Sequence, residues 1–200
     1  MSIDDLKKRQ KNNRLTLIGL LVVFASPMVI AYLAWWQGWF NNMGTTNHGE
    51  LIKPLITLSQ SGLQLQQRNI EPDNIKDHWW IIYVTDDEKC ALRCQANAYL
   101  INQARTAQAK EMERVDRMIV SKNGKLTPSA EKFVKEHFLI NIFATLADIS
   151  PLKANTIYLM DPLGNIFMSY QSVKDEKDAV IKGKGLVKDL KRLLKYSQIG

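Results

Sequence analysis

The chain has 200 residues, 46% of them hydrophobic, a net charge of +7, and only two cysteines and three histidines. That apolar content can bury a core without many crosslinks. The basic balance raises nucleic acid as a partner, but the sequence shows no zinc-finger spacing and no aromatic and basic interleaving on a sheet. With the membrane anchor described next, the expectation is no nucleic acid.

Residues 1–14, MSIDDLKKRQKNNR, carry Lys7, Lys8, Arg9, Lys11 and Arg14 against Asp4 and Asp5. Residues 15–36, LTLIGLLVVFASPMVIAYLAWW, carry no charge and would cover roughly 33 Å as a helix, about the thickness of a bilayer's hydrocarbon core. A cleaved signal peptide has a shorter apolar core and a small-x-small end; here the run continues into Trp35, Trp36 and Trp39, an interfacial aromatic belt. The reading is one transmembrane helix over 15–36, with Pro27 a tolerated kink. The basic flank keeps residues 1–14 in the cytoplasm and puts everything after Trp39 outside.

Residues 37–50, QGWFNNMGTTNHGE, have the composition of a tether. The exported domain is set at 51–200. LIKPLITLSQSGLQLQ opens it, with Leu51, Leu55, Leu58, Leu63 and Leu65 near-alternating as an irregular strand or hairpin. Trp79 to Val84 reads as a buried strand. A helix is predicted over 91–110, with Asp86, Asp87 or Glu88 as cap or dipole partners. A second strand spans 114–120, and Pro128 starts a second helix. Residues 156–160 and 166–170 flank DPLGN as a hairpin. GKGLVKDL, with only two glycines, reads as the start of a last helix rather than a phosphate loop, with Lys188, Lys191, Arg192 and Lys195 on its solvated face. No hydrolase or zinc-protease motif is present.

The order β-α-β-α-β-β-α, with a C-x-x-x-C pair (Cys90, Cys94) at the first strand-to-helix junction, is a thioredoxin-like α/β arrangement. The chain resembles membrane-anchored thioredoxin-fold proteins of the Sco type, whose motif is also C-x-x-x-C after a strand and whose later hairpin carries Y-L-x-x-P-x-G, as YLMDPLG does at 158–164. YLMDPLGNIFMSY and DLKRLLKYSQIG are similar to blocks in a group of bacterial membrane proteins. The resemblance covers about residues 50–200. It implies a bacterial inner-membrane protein with a periplasmic domain, a role in cytochrome c oxidase copper-site biogenesis, and oxidase subunits or a copper-site assembly protein as partners beside the lipid bilayer. It also implies copper as the cargo to consider. The Sco ligand set adds a histidine shortly before the hairpin, but ISPLKANTIYLM has none and Lys153 stands about there. Gln95 replaces the proline that usually follows the second Sco cysteine.

On a helical turn, positions 90 and 94 share a face with Cα atoms about 6 Å apart, close enough for a disulfide. Outside a membrane such a bond persists. At a helix N-terminus Cys90 would be the exposed nucleophile and Cys94 the resolving thiol; Lys89 and Arg93 favour the thiolate, while Asp86, Asp87 and Glu88 oppose it. A clip around three residues adds little stability. Three uses therefore stay open: a thiol–disulfide oxidoreductase, an assembly or scaffold protein with a structural pair, and a copper chaperone with Cys90 and Cys94 as atypical ligands. No resident cofactor or metal is expected. His48 in the tether, His78 before the strand and His137 in the second helix read as surface or locally bonded residues, and Met160 and Met168 as core filling.

Overall fold

The computed structural model describes residues 3–39, 46–65, 75 and 77–200. It divides into two compact units, Met1–Thr46 and Asn47–Gly200. The first is helix α1 (Ile3–Trp36), within which Asn13–Trp36 is long and apolar enough to cross a membrane, at a mean hydropathy of 2.4. Pro27 has no N–H to offer the carbonyl of Val23. The neighbouring Ser26 hydroxyl donates to that carbonyl at 3.1 Å, so the helix continues past the proline with the freed group paired.

Among the described residues the second unit is built on a seven-stranded mixed sheet in the order β1-β7-β6-β3-β4-β5-β2. Its centre is β3 (Trp79–Thr85), in which every residue is buried. A run without polar alternation is what a strand covered on both faces requires. It pairs in parallel with β4 (Val115–Ser121) and antiparallel with β6 (Thr156–Met160). Trp79, Ile81 and Tyr83 point to a layer shared with α2 (Leu92–Thr106), α3 (Pro128–Phe138) and α4 (Glu176–Tyr196). Trp80, Ile82 and Val84 point to the opposite face with Met118, Tyr158 and Met160. The two periods, 2 in the strands and 3.6 in the helices, meet in one core.

The predicted hairpin is present as β6 and β7 (Asn165–Gln171). Asp161 Oδ1 accepts the N–H groups of Leu163 and Asn165 at 2.9 and 2.8 Å, and Gly164 takes φ +85°, the conformation glycine permits.

Four expectations change. Residues 50–65 form no hairpin: β1 (Glu50–Thr57) pairs with β7 at one edge of the sheet and β2 (Leu63–Leu65) with β5 (Ile142–Leu146) at the other. The link between them crosses the second face, bonded to Gly164 through Leu58 and to Ala147 through Gly62. β5 itself, a short run with β-branched residues at its first and fourth positions, was not foreseen. The helix expected over 91–110 ends at Thr106 and gives way to a 3₁₀ turn at Ala109–Arg114, where Ala109 has φ +52°. The last helix starts at Glu176, capped by Asp175, so GKGLVKDL lies inside it. Gly183 and Gly185 sit in its interior because a Cβ on the first would run into Leu100, and on the second would lie 2.7 Å from the Cβ of His48. Close approach outweighs the helix penalty of glycine here.

Buried Asn97 on α2 ties the helices to the end of β7. Its amide donates to the Val173 carbonyl at 2.9 Å and accepts the Val173 N–H at 2.9 Å. Asn97→Ala leaves both Val173 groups without partners and is expected to cost about 1–3 kcal/mol, read as a lower urea midpoint with an unchanged slope.

Candidate functional site

The segment from Thr85 to Cys94 turns from β3 into α2, and Asp87 organises it. The Asp87 carboxylate accepts the N–H groups of Lys89 at 3.0 Å and Ala91 at 2.6 Å, and its own N–H donates to the Thr85 hydroxyl at 3.1 Å. The helix begins at Leu92 with Ala91 as its N-cap residue, which has no capping side chain. Asp87 therefore supplies the negative charge at the helix start that the sequence suggested, and satisfies a donor near the helix N-terminus as well.

Cys90 stands just before the cap and Cys94 in the first turn of α2, joined as a disulfide with Cα atoms 4.8 Å apart. The separation is shorter than helix geometry gives because Cys90 is outside the helix, at φ +49°. Left-handed backbone costs a non-glycine residue about 1–2 kcal/mol. Gln95, at the position of the usual Sco proline, donates its side-chain amide to the Cys90 carbonyl at 3.0 Å. The expectation of an exposed Cys90 is corrected: Cys90 and Cys94 are each only 1% exposed. The turn folds inward, with Tyr83, Leu126 and Ala130 in the same cluster. Tyr83 adds a buried hydroxyl, and its burial pushes the pKa up to about 12.

The loop before the hairpin meets the start of the cysteine turn through Asn155: its amide donates to Asp86 Oδ2 at 2.9 Å and its N–H to the Val84 carbonyl at 2.8 Å. Among the described residues no group of three His, Cys, Asp or Glu side chains gathers to hold a metal. Lys153 lines a different cleft.

Sequence reasoning missed a second constellation. His48, assigned to the tether, belongs to the folded unit. Asp189, 3% exposed, accepts the backbone N–H groups of His48 and Gly49 at 2.7 and 3.0 Å, the Tyr170 hydroxyl at 2.9 Å and His48 Nδ1 at 3.0 Å. Burial raises the pKa of the carboxyl, but the bonds from His48, Gly49 and Tyr170 together outweigh it and hold Asp189 below its ordinary value. The same charge, after burial, pushes the Tyr170 hydroxyl well up. A signal was available: position 189 adjoins the apolar stripe of Leu186, Leu190 and Leu194, so a carboxylate there is directed inward. Of the other histidines, His78 Nδ1 lies 2.9 Å from Asp116 on β4, and His137 stacks on Phe133.

Residues 80–197 match the family described as "Transmembrane-like, thioredoxin-like, C-terminal domain". The chain belongs to this family. Among solved structures, this transmembrane-like, thioredoxin-like chain is similar to yeast Sco1 at a TM-score of 0.52 and 17% identity, covering 73% of this chain and 99% of that one. Apo Sco1 from Thermus thermophilus is similar at a TM-score of 0.49, 14% identity and coverage of 74% and 97%. Peroxiredoxin Q of Xanthomonas campestris is similar at 0.45, 11% identity and coverage of 70% and 98%. A search of the curated proteins found no match. The likeness to yeast Sco1 agrees with the thioredoxin-like fold of the family.

Two outcomes follow for these sites. Asp87→Ala removes two bonds that hold the cysteine turn; the disulfide should then be reduced faster by a small phosphine, followed by thiol labelling, and stability should fall by about 1–2 kcal/mol. The depressed pKa of Asp189 means that the unfolded chain binds the proton more readily. Its stabilisation is present above the ordinary carboxylate pKa and is lost as pH falls through the lower folded value. Melting temperature between neutral and strongly acid pH should therefore fall less in Asp189→Asn, which starts less stable, than in the unaltered protein.

Proposed function

We propose that this protein is a membrane-tethered thioredoxin-like factor in cytochrome c oxidase copper-site biogenesis, acting by thiol–disulfide exchange through Cys90 and Cys94. The single observation that carries the chemistry is a closed pair at the strand-to-helix junction, held in a turn that one carboxylate keeps in place. The assignment to oxidase biogenesis draws its support from the likeness to Sco proteins and from the sequence blocks of the hairpin and last helix. The basic residues before α1 support a cytoplasmic N-terminus and a periplasmic domain.

In the reduced form, release of the Asp87 turn exposes Cys90, whose thiolate attacks a partner's disulfide and expels one partner thiolate. Cys94 then attacks the sulfur of Cys90, frees the second partner thiolate and closes the bond seen in the structure. Two electrons pass to the partner, and a membrane-side dithiol must return them to the pair. No step passes through copper.

A second reading has an observation of its own. Burial of both sulfurs favours a static clip in a scaffold protein that contacts oxidase subunits without exchange. In intact membranes, Cys94→Ser should leave Cys90 free to trap a partner as a mixed disulfide, while Cys90→Ser should trap far less. A reduction potential below about −300 mV, with no trapped partner, would mark the structural bond and leave the scaffold reading standing.

A further inference from the structure

The cysteine site leaves unused a cleft of about 840 Å³ beside the edge strand β1, lined by residues of β1, the 151–156 loop, β7 and α4. Its volume falls within the range of small-molecule sites. Lys153, Lys182, Lys184 and His48 line it, and Glu50 is the only carboxylate among the described lining residues. Asp178 holds Lys182 at 2.9 Å, whereas Lys153 and Lys184 have no ion pair among the described residues. Ile52, Ile56 and Pro151 supply an apolar wall.

The histidine in this wall is built in. Asp189 takes Nδ1, so the other ring nitrogen has no partner among the described residues, on a side chain that is 49% exposed. A buried carboxylate that fixes one nitrogen of a histidine orients the other for work. The packing around the pair leaves no slack. A Cβ on Gly49 would lie 2.5 Å from the Tyr170 ring, and one on Gly185 would strike His48. Asp189 is saturated by four donors of the chain's own, so its charge is already compensated toward a ligand.

We propose that this cleft binds a phosphate-bearing ligand, with Lys153 and Lys184 donating to the phosphate oxygens, the outward nitrogen of His48 accepting from a hydroxyl of the ligand, and the isoleucine wall against its carbon portion. A phosphate monoester carries nearly two charges and three strong acceptor oxygens, which suits donors arriving from separate walls. The phosphate could belong to a free metabolite or to a lipid headgroup; the chemistry of recognition is shared. The site is independent of the cysteine exchange.

The test is equilibrium binding of radiolabelled glycerol 3-phosphate to the full chain in phosphatidylcholine nanodiscs. Saturable binding is expected, weakened at least about tenfold in Lys153→Gln/Lys184→Gln and in His48→Asn, but not in Lys132→Gln/Lys195→Gln, which removes the same charge elsewhere. Asparagine keeps a donor near the place of Nδ1, so His48→Asn should retain the bond to Asp189 and the melting temperature. Including phosphatidylglycerol in the nanodisc should displace the label if the source is lipid; undiminished binding with that lipid assigns the site to a free phosphate. Absence of saturable binding in the millimolar range, or equal binding by the two double lysine variants, would overturn the proposal.

Discussion

The constraint on which the rest depends is the burial of β3. A strand with no exposed residue cannot send its N–H and C=O groups to water, so both of its edges must be paired. The parallel partner β4 and the antiparallel partner β6 do this over nearly its whole length. Each fully buried Ile of this strand contributes about 1.5–3 kcal/mol against exposure, and burial on two faces demands a layer on each. The helices cover one face. The other is closed by side chains from β1, β2 and the loops. The chain leaves β3 at Thr85, and that exit places the cysteine turn where a helix N-terminus, a carboxylate and a buried sulfur pair coincide.

The two sites solve opposite electrostatic problems. At the cysteine turn, Asp87 is partly exposed and caps backbone donors at the start of α2; its role is local and lies in the six residues that separate strand from helix. At the other site, Asp189 is inside, and taking a carboxylate out of water is costly unless donors replace it. The replacement comes from His48 and Gly49 at the start of the domain and Tyr170 on β7. The network fastens an edge strand to the last helix and at the same time turns one histidine nitrogen toward a basic cleft. Gly49 and Gly185, which look like ordinary linker and helix-start residues in sequence, are required there by close approach.

Arg114 performs a related task for the C-terminal segment. Its guanidinium donates to the carbonyls of Leu194, Ser197, Ile199 and Gly200 at 2.7 to 3.2 Å, satisfying acceptors that the end of α4 would otherwise leave to water. Trp79 Nε1 also donates to the Ile199 carbonyl at 3.2 Å. The last residues are thereby tied to the start of the central strand.

The sequence by itself determined the apolar span, the buried central strand, the helices over the first face, the hairpin around DPLGN and the position of Cys90 and Cys94 at a strand-to-helix junction. These are local: each is written in periodicity, in a turn residue or in an uninterrupted apolar run, and its cause lies within about a dozen neighbours. Only the tertiary structure decided that residues 50–65 split between opposite edges of the sheet, that the cysteines are buried, that α4 runs through its glycines, and that His48 meets Asp189. Edge pairing depends on which strand offers free hydrogen-bonding groups, burial on what folds over the turn, and the His48–Asp189 contact on two segments 141 residues apart. None of these leaves a periodic mark on the chain, because the energy that selects them arises only when distant surfaces close and exclude water.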